Sequence, residues 1–454
     1  MPRYSWIDRL KARSEVQPEV TGLVLSGGGA RASFHIGALR YLYDQVGIAP
    51  TRIVGTSAGS IVASMLAQSI DPTEQSARLR TLENIWLSMK DSSDMFAEQA
   101  WFTRLRSHAD ELSGLTGLLG TGAGESQETT PAVATSRDDT GDVAEMVRRA
   151  MDEDPSHDMT FSASDAWQLA GSLLRVGRAG AGLAASVRGA ERANSAFRPG
   201  PIVKRLLFES GFQASAVASS GVELRLAFVD LNTGALRFMR QDGVIVDRDD
   251  RPVEDTRYDL TLGVWASCSI PGVFRPVKMG DGVYIDGGVR ENVPVEMAVT
   301  HLGTTKPYVI SAAPAGMAHD DYSSKDLVAV LLRAGSIMFD ETIHDEVEWA
   351  RNAGACVIEP IVNVHDAGTV HPLLLRINRD YGWTRAAEAI TGAPPSLREA
   401  DEAIVKARCD LAADVRRGDA TEEHLKGHRR KIAKLVSRAD PSLLPPGHET
   451  WADD

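Results

Sequence analysis

The chain has 454 residues, 43% of them hydrophobic and 24% charged, with a net charge of −13. That composition fits one large globular domain with insertions, or two to three smaller ones. The acidity argues against general nucleic-acid binding and against whole-protein attraction to anionic lipid, while leaving room for local basic patches. Three cysteines, Cys268, Cys356 and Cys409, are odd in number and lack metal spacing, so no disulfide framework is expected and a reducing, cytoplasmic setting is. Residues 1–20 carry charges and no apolar h-region, so they do not read as a signal peptide. No run of 18 apolar residues exists, so no membrane span is expected.

In chain order, residues 21–25 form a short apolar run that reads as a buried strand. It ends in Ser26-Gly27-Gly28-Gly29-Ala30-Arg31, and a helix follows through Phe34, Ile36, Leu39 and Leu42 until Gly47 stops it. Three glycines in a strand-to-helix turn let several backbone N–H groups point into one concavity, an anion hole. The functional reading is an oxyanion hole, and its rival is a phosphate-binding turn. The dinucleotide fingerprint is not met in its strict form, since Ala32 stands at its last glycine position, and no P-loop pattern is present.

Residues 53–60 read as a strand, a sharp turn and a helix through Ile61, Val62, Met65 and Leu66. The turn, Gly55-Thr56-Ser57-Ala58-Gly59, fits the nucleophile elbow G-x-S-x-G. A serine there sits in a strained backbone, so the residues two before and two after it must lack bulk. The helix N-terminus behind Ser57 favours a developing alkoxide. A further helix is predicted over 74–90.

Composition shifts from 91 to 199. Residues 113–142 are rich in Gly, Thr, Ser and Ala and read as a mobile loop or disorder. Residues 162–194 combine Trp167 and several leucines with Arg175, Arg178, Arg188 and Arg192. That pattern suits either a helix packed on the core with a solvated basic face or an interfacial lid in peripheral contact with a membrane.

Regular structure returns at 201. Residues 222–230 alternate and then turn apolar as a strand does, and Asn232-Thr233-Gly234 turns the chain back into a hairpin. A helix is expected over 260–267 and a strand over 283–285, running into Asp286-Gly287-Gly288. An acid at the C-terminal end of a strand stands where open α/β sheets bind ligands. Helices to 302, over 325–339 and over 373–390, strands over 308–312 and 355–359, and charged helices from 396 to 437 complete the pattern.

The three motifs together, Gly27-Gly28-Gly29-Ala30-Arg31, Gly55-Thr56-Ser57-Ala58-Gly59 and Asp286-Gly287-Gly288, resemble the patatin-like phospholipase family. The stretch from Ala266 to Phe274 is similar to the family's segment before its Asp. The resemblance implies a three-layer α/β/α sandwich with a central, mostly parallel sheet and catalysis by a Ser57–Asp286 dyad. By the same resemblance the amides of Gly27, Gly28, Gly29 and Ala30 form the oxyanion hole, with Arg31 completing the motif. Gly55, Gly59, Gly287 and Gly288 are then the elbow and turn glycines. The implied activity is a serine lipid acyl hydrolase acting on a lipid or fatty-acyl ester, without cofactor, metal or calcium dependence. An α/β-hydrolase triad with a histidine after Asp286, and a non-catalytic lipid-binding protein on the same fold, remain as alternatives.

The expected organisation is an N-terminal segment 1–20, a catalytic core 21–90 plus 200–392, an insertion 91–199 and a helical C-terminal extension 393–454. No nucleic-acid partner is expected, and the oligomeric state is left open.

Overall fold

The computed structural model describes residues 19–99, 197–206, 210–314, 341–418 and 420–452. The expectations for 113–142, 162–194 and 325–339 therefore lie outside the described residues. Twelve strands are described, ten of them in one mixed sheet. One half is parallel. It runs β12 (Cys356–Ile358), β11 (Lys306–Ile310), β1 (Thr21–Leu25), β2 (Arg52–Thr56) and β5 (Glu223–Asp230). The other half is antiparallel, with β6 (Leu236–Arg240), β7 (Val244–Val246) and β8 (Pro252–Arg257) continuing outward from β5. Strands β9 (Val277–Met279) and β10 (Gly282–Asp286) pair with each other, and β10 pairs with β5. A separate two-stranded sheet joins β3 (Phe96–Glu98) to β4 (Phe197–Pro199).

Strand alternation sorts the core into two layers, as a two-residue period requires. Leu23, Leu25, Ile53, Leu224, Leu226, Phe228, Tyr308 and Ile310 face one side. There they meet α1 (Ala32–Tyr41), α2 (Ala58–Leu66), α3 (Pro72–Leu87), α4 (Leu260–Ser267) and α6 (Pro372–Thr391), which contribute Phe34, Leu39, Trp86, Val264 and Tyr381. Val24, Val54, Ala227, Val229 and Val309 face the other side, against Val293, Val295, Met297 and Val347, the last carried by α5 (341–352). The central strands bury both faces, which is why they read as continuous apolar runs rather than as clean alternation. Each such core side chain contributes about 1.5–3 kcal/mol.

The first layer is held tightly where α1 crosses α6. A Cβ on Gly37 would lie 1.7 Å from the Arg379 carbonyl oxygen, and one on Gly382 would lie 2.1 Å from that of Phe34. Each helix thus needs a glycine to admit the other's backbone. Edge-to-face pairs Phe34–Tyr381 and Tyr41–Trp383, with centroids 5.9 and 5.4 Å apart, flank the crossing.

The chain ends in a helical hairpin, α7 (Pro395–Arg417) and α8 (Glu422–Val436), with its own small core of Ile404, Ala407, Leu411, Ile432, Leu444 and Trp451. The sequence pattern predicts an apolar stripe of Leu411, Ala412, Val415, Leu425, Ile432 and Leu435 for these helices, but Val415 is 40% exposed and does not belong to the core. The hairpin also gathers Asp414, His424 and His428, whose ligand atoms lie within 4.8 Å of one another. Such a group could hold a metal ion. The residues come from two helices, and linear spacing shows only the His424–His428 half.

A Gly37→Ala substitution should cost about 3 kcal/mol, the upper end of the usual range for overpacking, because the new methyl meets backbone rather than a side chain that can turn away. Gly427→Ala, in the exposed interior of α8 with nothing within 4 Å, should instead stabilise the chain by up to about 1 kcal/mol. Urea unfolding of the two variants beside the native chain checks both signs.

Candidate active site

Residues 57 and 286 are far apart in the chain, and the register of β5 brings them together. β2 runs parallel to β5 and ends with Thr56 opposite Ala227. β10 runs antiparallel to β5 and ends with Asp286 opposite Phe228. The other edge of β5 is taken by β6 over 225–229. β2 and β10 therefore share one edge of β5 and meet end to end. The residue after Thr56 is Ser57, so Ser57 and Asp286 face the same gap.

Ser57 has φ +53° and ψ −128°, a region that residues with a side chain avoid. Such strain costs on the order of 1–3 kcal/mol and must be held by its surroundings. The Ser57 N–H donates to Ser267 Oγ at 2.9 Å, and Ser57 O accepts from Ser60 N at 2.8 Å and from Cys268 Sγ at 3.2 Å. Ser60 Oγ ties back to Gly55 O at 2.9 Å. A Cβ on Gly55 would meet Gly59 O at 2.7 Å, and one on Gly59 would meet the carbonyl oxygens of Leu25 and Ser26 at 2.5 Å. The two elbow glycines are thus close-approach positions, as the motif predicts.

Asp286 is 5% exposed and Ser57 6%. Asp286 N donates to Ser269 O at 3.0 Å, and Asp286 Oδ1 accepts from Gly288 N at 2.8 Å. Gly287 passes so close to Ala227 that a Cβ would sit 2.5 Å from its carbonyl oxygen. Burial pushes the Asp286 carboxyl up to about 7, and the Ser57 hydroxyl and the Gly288 N–H pull it part of the way back. The Ser57 hydroxyl is near enough to act on the carboxyl, yet no hydrogen bond of standard length and angle joins the two side chains. Loose geometry of this kind is common in substrate-free sites. Among the described residues no histidine bonds to Ser57 or Asp286; His319 lies outside them.

The glycine turn packs beside Ser57, since a Cβ on Gly27 would be 3.2 Å from Ser57 Cβ. Its donors divide. Gly27 N–H donates to Asn292 O at 3.2 Å and Asn292 Oδ1 at 2.9 Å, and Ala30 N–H donates to Ala367 O at 2.7 Å. The expectation of four anion-facing amides is corrected on this point, because Gly27 and Ala30 already have acceptors. The N–H groups of Gly28 and Gly29 have none among the described residues. Gly29 has φ +54°, and a Cβ on Gly28 would meet the Ala312 Cβ at 2.7 Å. The turn thus lies between the ends of β1 and β11, where strand order reverses and open sheets bind ligands.

Arg31 reaches the 363–367 segment. Its Nε donates to His365 O at 2.7 Å, and its guanidinium also reaches Asn363 Oδ1 at 3.2 Å and pairs with Asp366 at 3.4 Å. Its place in the motif is that of a clamp on the 363–367 segment, whose Ala367 in turn holds Ala30.

Sequence reasoning missed three supporting residues. Asn292 holds Gly27, Ser267 holds the Ser57 amide, and His35 lies fully buried with Nε2 3.3 Å from Ser26 Oγ. Burial lowers the His35 pKa to about 3, so it stays neutral. Ser26 Oγ donates to Gly27 O at 2.8 Å and accepts from Ala312 N at 2.8 Å, so this trio supports the turn from behind. Two signals could have drawn attention to them: Asn292 lies close to the Asp286 motif, and Ser267 lies within the Ala266–Phe274 stretch.

The family model for patatin-like phospholipases matches residues 23–299. Over 86 residues the chain is 35% identical to a patatin-like phospholipase domain-containing protein of Caenorhabditis elegans, a stretch that is 18% of this chain and 6% of that protein. Over 101 residues it is 34% identical to a protein of the same description from Phaeosphaeria nodorum, covering 18% of this chain and 12% of that one. The match thus spans a small part of both relatives. Among solved structures, VipD from Legionella pneumophila aligns with 92% of this chain and 80% of its own, at 14% identity and a TM-score of 0.37. The ExoU–SpcU complex of Pseudomonas aeruginosa aligns with 96% and 69%, at 15% identity and a TM-score of 0.22. Superpositions this loose carry no functional argument. With more than half of its length matched by the family model, the chain belongs to the patatin-like phospholipase family.

Proposed function

We propose that this protein is a serine acyl hydrolase of lipid esters, with Ser57 as nucleophile and Asp286 as its base. The observation that carries the reading is the end-to-end meeting of β2 and β10 on one edge of β5, which sets a strained serine against a buried carboxyl. Asp286, once ionised, takes the Ser57 proton as Oγ attacks the ester carbonyl. The Gly28 and Gly29 amides receive the oxyanion, and one such donor is worth roughly 3 kcal/mol. The alkoxide leaves with the proton from Asp286. Water then attacks the acyl-enzyme, Asp286 again acting as base. A pKa near 7 suits both halves of that cycle, since the group must accept and return a proton at neutral pH.

The family points to acyl chains, so phospholipids, lysophospholipids and acylglycerols form the substrate class. The reaction needs no metal, calcium included. We read 21–90 with 200–392 as the catalytic core. The lid and membrane-contact reading of 91–199 falls mainly on residues outside those described. Among the described residues no helix is long and apolar enough to cross a membrane.

Ser57→Ala should abolish hydrolysis of a short-chain ester and covalent labelling by a fluorophosphonate, with the fold kept. Labelling that survives in an active Ser57→Ala protein would move the nucleophile elsewhere. Asp286→Asn should lower kcat to nearly the Ser57→Ala level.

The rate should rise with pH through a single ionisation near 7, because only ionised Asp286 is a base. A profile already flat at pH 5 would exclude a carboxyl with this raised pKa from the role.

Stability should move the other way. The unfolded chain releases the Asp286 proton near 3.8 and the folded chain near 7, so this group's contribution falls between those values and levels off above. Asp286→Asn removes that slope. Denaturant titrations of native and variant protein at pH 5 and pH 8 should show the variant's relative stability increasing at pH 8.

A further inference from the structure

Far from the proposed active site in sequence, the hairpin of α7 and α8 brings three metal-ligating side chains to one point. His424 and His428 stand four residues apart on α8, hence on one face of the helix. Both present Nε2 to Asp414 Oδ2 on α7, each at 2.8 Å. The two Nε2 atoms are 3.3 Å apart, with the rings at 78° to one another. All three ligand atoms lie within 4.8 Å of each other.

We propose that Asp414, His424 and His428 form a zinc(II) site that ties α7 to α8. The chemistry of the donors selects the metal. Two imidazole nitrogens with one carboxylate oxygen suit zinc, whereas calcium and magnesium take oxygen ligands. Zinc–nitrogen bonds of about 2.0–2.1 Å in tetrahedral geometry put neighbouring ligand atoms about 3.3 Å apart, which is the separation of the two imidazole nitrogens here. The two nitrogen–oxygen separations of 2.8 Å are those of hydrogen bonds and would open by about 0.5 Å around the ion. The guanidinium of Arg417 contacts Asp414 Oδ1, which leaves Oδ2 as a single ligand oxygen aimed at the histidines. The Asp414 and His428 side chains are 7% and 16% exposed, and His424 is 59% exposed. The site is therefore anchored on its inner side and open on its outer side, where a water can enter as the fourth ligand.

A metal there has a structural consequence. The hairpin core is small, and its two helices are separated by only the residues 418–421 of the sequence. A bond from each helix to one ion ties α7 to α8 independently of the apolar contacts.

The test uses the untagged full chain, stripped with a chelator and titrated with zinc chloride at neutral pH by calorimetry. One ion per chain should bind with a dissociation constant below about 10 μM, and the melting temperature should rise with zinc. His424→Gln and His428→Gln should each weaken binding at least tenfold, while His448→Gln should leave it unchanged. Hydrolysis by the proposed dyad should not differ between stripped and zinc-loaded protein. Cobalt(II) on the native chain should give the intense visible bands of a four-coordinate ion, which reads the site without any substitution. Binding weaker than that limit, binding that both histidine substitutions leave intact in folded protein, or an octahedral cobalt spectrum would each overturn the proposal. In that event the three residues are an ordinary ion-pair and hydrogen-bond network around Asp414.

Discussion

The edge of β5 is the constraint on which the site depends. Two strands of opposite direction pair to the same edge, one along its first half and one along its last residues. Only strands of opposite direction can bring two C-terminal ends face to face on one edge. Backbones converging at one point leave little room for side chains, and the glycine positions follow from that crowding. Gly55, Gly59 and Gly287 each press on a carbonyl oxygen at 2.5–2.7 Å, counted from where a Cβ would be. The strain at Ser57 belongs to the same construction. A serine leaving β2 must turn at once into α2, and the bonds from Ser267, Ser60 and Cys268 hold it in that turn.

Burial then does the electrostatic work. A carboxyl with one backbone N–H partner and little solvent holds its proton more tightly than it would in water. The same burial keeps His35 neutral beside Ser26, so no positive charge stands behind the glycine turn to compete with the proposed oxyanion site. Support for the turn extends further out. Glu346 on α5 accepts from the Asn292 and Val293 amides at 2.7–3.2 Å, and Asn292 in turn binds Gly27. Burial pushes Glu346 up to about 8 as well. The position of the glycine turn thus rests in part on a helix in the opposite layer from the one that carries the elbow.

The layer over the first face of the sheet is finished by residues beyond the family match. Helix α6 packs along α1, and the paired glycines at their crossing set how near the two can come. α1 begins directly after the glycine turn, so the seat of α6 helps to fix the turn's position. The 363–367 segment leading toward α6 acts on it too, through Ala367 and the Arg31 clamp.

The sequence by itself determined the strands and helices whose apolar period is clear, because period and capping are local properties. β1, β5, β10, α4 and α6 stand within a residue or two of their predicted bounds. The short strands β7 and β8 were missed: β7 spans only three residues, too few to show a period, and β8 is exposed along its whole length and has no apolar pattern to show. The elbow and the Asp286 turn were legible because close backbone approach demands glycine at set distances from Ser57 and Asp286. Only the tertiary structure decided the rest. Which glycine amides stay free depends on Asn292 and Ala367, which lie hundreds of residues from the turn. The direction of Arg31 depends on a loop contributed by the last third of the chain. The raised Asp286 pKa depends on burial, which no pattern around 286 encodes. Asp414, His424 and His428 become neighbours only when α8 folds back on α7, for a ligand set shared by two helices is a property of their packing rather than of either one.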